Sequence, residues 1–219
     1  IGPDPASARE GPAALCYDRW VDQRPGTHAV ERTRWLFAAA LGHPLEGRAR
    51  DHGLGASTAR SGATVVLLHG TSWRSKRWPL AHWCELAARL AAEGLDVRVP
   101  FGDDAERARG ERVAAAGGGE LLPRTGLDGL RRALEDARGL VGVDAGPLHL
   151  AAALGTPGVG LYGPTDPART GPWSDALGAL TPPRAPELRC APCGARHCAS
   201  PLPPHPSGSA LEPPCLGRI

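Results

Sequence analysis

Apolar residues along this chain alternate between short continuous runs and longer stretches with helical spacing. The short runs, rich in Val and Leu, predict buried β-strands at residues 65–69, 96–100, 120–122, 140–143 and 159–162. The longer stretches predict amphipathic helices at residues 28–42, 79–93, 104–116, 127–138 and 148–154. Strands that alternate with helices of this length are typical of βαβ units. The sequence therefore predicts an α/β fold with a Rossmann-like, doubly wound parallel sheet.

This regular pattern covers only part of the chain, and three regions are predicted. Residues 61–178 form the Rossmann-like domain. Residues 1–60 contain one helix and then a stretch without apolar periodicity, so we interpret them as the remnant of a preceding domain plus a linker. Residues 179–219 hold ten of the 23 prolines, which predicts an atypical Pro- and Cys-rich tail that buries little surface.

Composition narrows the possible classes of function and location. The 25 basic residues are balanced by 23 acidic ones, so nucleic acid is not an expected partner. No apolar run reaches the roughly 18 residues that a membrane-spanning helix needs. The first ten residues lack the basic and apolar segments of a signal peptide. The chain opens on Ile1 and contains no Met, so we expect an N-terminally truncated fragment of a cytoplasmic protein.

A polar loop follows the first predicted strand of the Rossmann-like domain, where open parallel sheets bind their ligands. Gly70 allows a close backbone approach, Thr71 and Ser72 offer hydroxyls, and Lys76 offers a positive charge, which together suit a phosphate. The loop is not a P-loop, because Lys76 is not preceded by Gly, and no G-x-G-x-x-G follows the strand. Taken alone, the loop is equally compatible with an ordinary polar turn.

A second polar loop follows the fourth predicted strand and leads directly into a helix. Backbone N–H groups at the start of that helix, unobstructed at Gly146, suit a pyrophosphate. His149 lies in the first helical turn, and its spacing from Asp144 favours a ligand role over a structural one. After the fifth strand, residues 162–167 form a Gly- and Pro-rich turn that is either structural or in direct contact with a ligand.

Taken together, these segments resemble the bacterial lipopolysaccharide heptosyltransferases of glycosyltransferase family 9. The resemblance is carried by LLHGTSWRSKRWPLAHW, VDAGPLHLAAALGTP, LYGPTDP and HAVERTRWLFAAALG with YDR ahead of it, and the last element is similar to the heptosyltransferase I branch in particular. The resemblance implies a GT-B architecture of two Rossmann-like domains, of which this chain holds the C-terminal, donor-binding half. It also implies transfer of L-glycero-D-manno-heptose from ADP-heptose to the Kdo of the lipopolysaccharide inner core.

Roles for individual residues follow from the same resemblance. By position, the donor-binding residues are Thr71, Ser72, Lys76, Glu106, Thr125, Asp144, Ala145, Gly146 and His149. The resemblance places Glu106 at the donor's ribose and Thr125 at the adenine, although an acid such as Glu106 also suits the start of a helix. Ala145 stands where the family usually has Thr, which removes a hydroxyl and leaves the backbone donors in place.

The resemblance leaves the catalytic residues unassigned. The family's general base is an Asp of the N-terminal domain, so no catalytic residue is named in this chain. No cofactor is expected, because ADP-heptose is a substrate. The implied acceptor is Kdo-lipid A, with peripheral contact at the cytoplasmic face of the inner membrane. The alternatives are a nucleotide-sugar-binding module without turnover, another GT-B transferase, or a sugar-nucleotide epimerase.

Four cysteines are concentrated near the end of the chain, at Cys190, Cys193, Cys198 and Cys215. The Cys-x-x-Cys spacing suits a zinc ligand pair, and His197 could replace one ligand. No second such pair follows, and the proline-rich surroundings offer little scaffold, so we expect no metal site. Small secreted domains spread their cysteines through the chain as a disulfide framework. The clustering here differs from that pattern, so a reducing compartment is favoured.

Overall fold

The computed structural model describes residues 1–6, 8, 11–22, 27–44, 50, 52–54, 60, 62–182, 188–199 and 213–219. It divides the chain into two compact units. The first comprises Ile1–Ala49 with Pro167–Gly171, and the second comprises Arg50–Asp166 with Pro172–Ile219. Among the helices that the structure describes, none has the length and apolar character needed to cross a membrane.

The smaller unit contains few regular elements. Strands β1 (Gly2–Pro3) and β2 (Trp20–Val21) pair in parallel, and a 3-10 helix lies between them at Gly11–Cys16. Helix α1 (Ala29–Leu41) follows, and a one-turn helix at Pro167–Thr170 contacts it.

Local chemistry sets both ends of α1, the helix that the sequence predicted at residues 28–42 with Gly42 as its end. His28 caps the start, because its ring accepts a hydrogen bond from the backbone N–H of Val30. Gly42 ends the helix with a φ of 65°, a left-handed conformation that glycine adopts without steric cost.

The larger unit is built on a six-stranded parallel sheet with the order β5-β4-β3-β6-β7-β8. The strands are β3 (Thr64–Leu68), β4 (Asp96–Val99), β5 (Glu120–Leu121), β6 (Gly139–Val143), β7 (Gly158–Leu161) and β8 (Leu177–Leu180). The helices between them are α2 (Leu80–Ala92), α3 (Asp104–Ala116), α4 (Leu127–Asp136) and α5 (Gly146–Ala153). The strand order runs outward in both directions from β3 and β6, so the predicted doubly wound sheet is confirmed.

Apolar side chains of β3 build one core on each face of the sheet, because successive residues of a strand point to opposite sides. Val65 and Leu67 belong to a cluster with residues of α2 and α3, whereas Val66 and Leu68 belong to a cluster with residues of α4 and α5. The first cluster also contains buried Trp83, Ala87, Val113 and Ala114, and the second contains buried Leu134, Leu148 and Ala151. Helices therefore cover both faces of the sheet.

The tail differs from its prediction. Leu188, Cys215 and Leu216 are buried in the α2/α3 cluster, so the expectation that this region buries little is wrong for these residues. Isolated apolar side chains suffice here, because they fill positions on an existing core and need no periodicity of their own. Residues 183–187 and 200–212, together with most of the predicted linker at 43–60, lie outside the described residues.

Candidate functional site

A pocket of about 550 Å³ lies at the carboxyl ends of β3, β4, β5 and β6. Its walls come from the loops that follow these four strands and from the first turns of α4 and α5. The centre of the pocket lies where β3 and β6 run side by side although they are distant in sequence. This reversal of strand order is the place where open α/β sheets bind ligands.

The structure brings nearly all of the predicted donor-binding residues to this pocket. Its lining includes Thr71, Ser72, Lys76, Glu106, Thr125, Asp144, Ala145 and Gly146. His149 is outside the lining, but its Nε2 lies 3.5 Å from Asp144 Oδ1. The predicted residues therefore lie together, and their individual roles in donor binding stay predictions.

An ion pair between Lys76 and Asp144 joins the loops that follow β3 and β6. Lys76 Nζ lies 2.7 Å from Asp144 Oδ2, and only 14% and 6% of the two side chains are exposed. Thr165, after β7, donates its hydroxyl to the same carboxylate oxygen at 2.6 Å. Three loops are thus tied together by one carboxylate.

Burial by itself would raise the pKa of Asp144, because it disfavours the charged carboxylate. Hydrogen bonds from His149, Lys76 and Thr165, together with the Lys76 charge, outweigh that effect and hold the pKa at about 2. The carboxylate is therefore ionised at any physiological pH.

Helix α5 points its N-terminal end at the same side of the pocket. Its N-cap residue, Ala145, makes no side-chain hydrogen bond to the first turn, and Pro147 takes a position in that turn where a missing N–H is tolerated. Nothing in the described structure comes within 4 Å of where a side chain on Gly146 would begin. An anion can therefore approach the positive end of the helix directly.

Another acidic side chain of the pocket, Glu106, is held by a backbone group. Its carboxylate accepts a hydrogen bond from the N–H of Gly102 at 2.8 Å. A side chain on Gly70 would lie 2.5 Å from the same carboxylate, so glycine is needed for this approach. Both interpretations of Glu106 fit this geometry, since it lies in the first turn of α3 and also lines the pocket.

Apolar residues line the part of the pocket formed after β4 and β5. Pro100 and Phe101 follow β4, and Leu127 and Leu130 belong to α4. Thr125 lies between them on the loop before α4. Pro100 and Phe101 follow a strand on the far side of β3 from β6, so they are separated from the loop that carries Asp144. The arrangement suits a ligand with a flat ring at one end and charge at the other.

Sequence reasoning missed two residues of the site. Thr165 was predicted only as part of a turn that is either structural or in contact with a ligand, yet it hydrogen-bonds Asp144 directly. Trp73 lines the pocket, and Lys76 Nζ lies 4.4 Å from its ring centroid. The signal that could have indicated Thr165 is its place beyond the carboxyl end of β7, the strand next to β6.

All four clustered cysteines line one small cavity of about 20 Å³, together with Ser75 and Pro164. Burial, followed by the nearby thiols of Cys198, Cys190 and Cys193, raises the pKa of Cys215 to about 11. Within the described ranges, no group of three or more His, Cys, Asp or Glu side chains has an arrangement that could hold a metal ion. The prediction that this chain binds no metal stays a prediction.

Comparison with known proteins assigns the chain to a family. The sequence model of glycosyltransferase family 9 (heptosyltransferase) matches residues 1–201, so the chain belongs to that family. It is 45% identical over 202 residues to lipopolysaccharide heptosyltransferase 1 of Pseudomonas aeruginosa, covering 90% of this chain and 56% of that protein. It is 40% identical over 176 residues to lipopolysaccharide heptosyltransferase 1 of Escherichia coli K12, covering 78% of this chain and 55% of that protein.

Solved structures agree with the assignment. The E. coli heptosyltransferase WaaC with ADP matches with a TM-score of 0.73 and 36% identity, covering 83% of this chain and 59% of that one. The same enzyme with ADP-2-deoxy-2-fluoro heptose matches with a TM-score of 0.72 and 36% identity, covering 83% and 58%. The resemblance and the GT-B type of α/β fold predicted from the sequence are thereby confirmed. The chain spans little more than half the length of the relatives that it matches.

Proposed function

We propose that the pocket binds the donor of a lipopolysaccharide heptosyltransferase, which transfers L-glycero-D-manno-heptose from ADP-heptose to the Kdo of the inner core. The observation that carries this proposal is the meeting of Lys76, Asp144 and the start of α5 at the reversal of strand order. The apolar wall at Phe101 and Leu127 provides a place for the adenine. Matching structures that contain ADP and a fluorinated ADP-heptose support this choice of donor.

In this proposal the site stabilises the departing diphosphate. Breaking the bond between heptose and ADP places negative charge on the leaving diphosphate, and positioned donors lower the barrier for that step. Lys76 supplies an ammonium group with three N–H donors, so it can contact a phosphate while it keeps its bond to Asp144. The first amides of α5 supply further donors, and His149 lies in the same helix.

The general base is a separate question. An efficient base has a pKa near the working pH, and the pKa of Asp144, at about 2, is too low for that task. The Glu106 carboxylate already accepts a backbone hydrogen bond from Gly102. We therefore propose that the base and the acceptor site belong to the N-terminal domain that the family resemblance implies, with residues 1–60 as its last part and linker.

The type I reaction is favoured over type II by the length of similarity. The match to type 1 enzymes covers up to 90% of this chain, whereas the match to E. coli lipopolysaccharide heptosyltransferase 2 covers 46% at 38% identity. On this basis we propose Kdo-lipid A as the acceptor and the cytoplasmic face of the inner membrane as the place of reaction.

Two measurements on the purified protein test the proposal. Calorimetric titration with ADP and with UDP should show clear preference for ADP, and equal affinities would refute the assigned donor. Transfer is tested with a protein that includes the N-terminal domain, because the proposed base lies there and this chain alone should be inactive. Incubation of that protein with ADP-heptose and Kdo-lipid A should give a heptosylated lipid, detected by mass spectrometry. ADP binding without transfer would favour the alternative of a binding module without turnover.

A further inference from the structure

The segment 188–199, which the sequence placed outside the donor domain, is bonded to the loop that carries Lys76. Ser75 is buried beside Lys76, and its hydroxyl donates to the carbonyl of Ala195 at 2.5 Å. The backbone N–H of Ser75 donates to the carbonyl of Arg196 at 3.2 Å. Two consecutive carbonyls of the tail thus fix the residue next to the ammonium-bearing side chain.

The same segment is also bonded to the loop after β7. The N–H of Gly194 donates to the carbonyl of Pro164 at 2.6 Å, and the next residue, Thr165, donates to Asp144. The tail therefore contacts the immediate neighbours of both Lys76 and Thr165, which are the residues that meet on the Asp144 carboxylate.

A second cation, Arg196 of this segment, lies against the same tryptophan ring as Lys76. The guanidinium carbon of Arg196 lies 5.2 Å from the centroid of the Trp73 ring, and Lys76 Nζ lies 4.4 Å from the same centroid. Trp73 itself lines the pocket. The aromatic ring attracts both cations, so two positive charges lie next to a residue of the pocket wall. Their combined positive potential favours a ligand with more than one negative charge.

We infer that the segment 188–199 completes the diphosphate end of the donor pocket. Arg196 acts as a further donor-binding residue through its charge, and Ser75 acts as a positioning residue that sets Lys76 through its bonds to the tail. The inference rests on the proposed function, because it assumes that the pocket holds a nucleoside diphosphate. It extends the site to a part of the chain that no sequence motif connected with donor binding.

A comparison of ADP with adenosine separates this role from general stability. Arg196→Gln should weaken ADP binding about three- to tenfold, as expected for removal of one exposed charge near a diphosphate, and should leave adenosine binding unchanged. Arg196→Lys keeps the charge and should retain most of the ADP affinity. The ADP affinity of Arg196→Gln should also depend less steeply on salt concentration than that of the unmodified protein.

Ser75→Ala tests the positioning role. Arg89→Gln is the control variant, matched in its substitution to Arg196→Gln. Ser75→Ala should weaken ADP binding more than adenosine binding, because it releases the loop on the phosphate side only. Arg89 is an exposed arginine of α2 that pairs with Glu85 and does not line the pocket, so its replacement should change neither affinity. Displacement titrations against a fluorescent ADP analogue give all of these affinities.

The possible outcomes are distinguishable. If Arg196→Gln and Ser75→Ala bind ADP as tightly as the unmodified protein does, the inference is overturned and the proposed function is unaffected. A parallel loss of ADP and adenosine binding would overturn it as well, because such a loss indicates a purely structural role. Failure of the unmodified protein to bind ADP would overturn the proposed function and, with it, this inference.

Discussion

Lys76 and Asp144 form a 2.7 Å ion pair although 68 positions separate them along the chain. They meet because β3 and β6 are neighbours in the sheet, so that the loops following them leave the same edge side by side. The pair joins the two halves of the doubly wound sheet at their boundary. A single contact thus serves both the fold and the candidate site, and its two roles can be measured separately.

The first prediction concerns ligand affinity. Lys76→Ala should weaken ADP binding by about 1.5 to 3 kcal/mol, the range for loss of a hydrogen bond to a charged group. Isothermal titration calorimetry measures the change directly. An affinity for ADP equal to that of the unmodified protein would refute the assignment of Lys76 to the phosphates.

The second prediction concerns folding stability in the absence of ligand. Lys76→Ala leaves the buried Asp144 carboxylate without its main charged partner. It should lower the free energy of unfolding by about 3 kcal/mol, the low end for a broken buried pair, because Thr165 still donates to the carboxylate. Arg89→Ala removes an exposed i,i+4 pair with Glu85 and should cost less than about 0.5 kcal/mol. Urea denaturation of the two variants gives both values. Equal losses in the free energy of unfolding would mean that the buried ion pair stabilises the fold no more than the exposed one.

The third prediction concerns pH. His69 is 1% exposed, and neither ring nitrogen has a hydrogen-bond partner within the described part of the chain. Burial first, and then the charges of Arg109 and Arg77, lower the pKa of His69 to about 4. The unfolded chain accepts this proton near pH 6.5 and the folded chain only near pH 4, so acid favours unfolding across that window.

This single group should remove up to about 3 kcal/mol of stability as the pH falls from 6.5 to 4, and its effect is absent above that window. Other groups titrate in the same range, so the comparison with His69→Leu isolates the contribution. Urea denaturation at pH 7.5, 5.5 and 4.5 should show a shallower decline for the variant. Identical slopes for both proteins would mean that His69 keeps an ordinary pKa in the fold.

The fourth prediction concerns the position where this chain departs from its family. Ala145 is the N-cap of α5 and offers no side-chain acceptor to the first turn. Ala145→Thr supplies one, and because Pro147 has no N–H, the gain should lie at the low end for a cap, about 0.5 to 1 kcal/mol. Thermal unfolding in the absence of ligand measures it. A lower melting temperature would show that the threonine side chain does not fit beside the core residues that Ala145 contacts.

The fifth prediction couples two further residues of the pocket, Gly70 and Glu106. Gly70→Ala would place a methyl group 2.5 Å from the Glu106 carboxylate and displace it. Gly70→Ala and Glu106→Ala should therefore each weaken ADP binding, and the double variant should be little worse than either single one. Gly178→Ala in β8 is the control, since nothing lies within 4 Å of its added methyl group and it does not line the pocket. Additive losses in ADP affinity would mean that the two residues act independently.

Much of the architecture could be predicted from periodicity, because most strands and helices differ in their hydrophobic spacing. The edge strand β8 escaped prediction, since Leu-Gly-Ala-Leu has neither β-branched residues nor alternation. Helix α5 begins two residues earlier than predicted, because the Gly-Pro pair at 146–147 suggests a turn, yet Pro is well suited to a first helical turn. Both errors concern residues whose local preference is weak or misleading.

Those residues of the candidate site that directly follow strands could be predicted from the sequence. Lys76 and Asp144 follow strands that the pattern placed correctly, and their convergence follows from the topology. Ser75 and Arg196 could not be joined by the same reasoning. Their contact depends on where a segment without regular structure returns to the sheet, and no periodicity encodes that path.

The position of Trp73 should make ligand binding detectable by tryptophan fluorescence. An indole that lines the pocket and lies near two cations experiences an electric field that a bound diphosphate would partly cancel. Its emission wavelength and intensity are sensitive to such a field, so occupancy of the pocket becomes visible without a label. The other five tryptophans contribute background, and a Trp73→Phe variant identifies the share of the signal that belongs to the site. The protein thus carries a built-in fluorescent probe at the place where its charges converge.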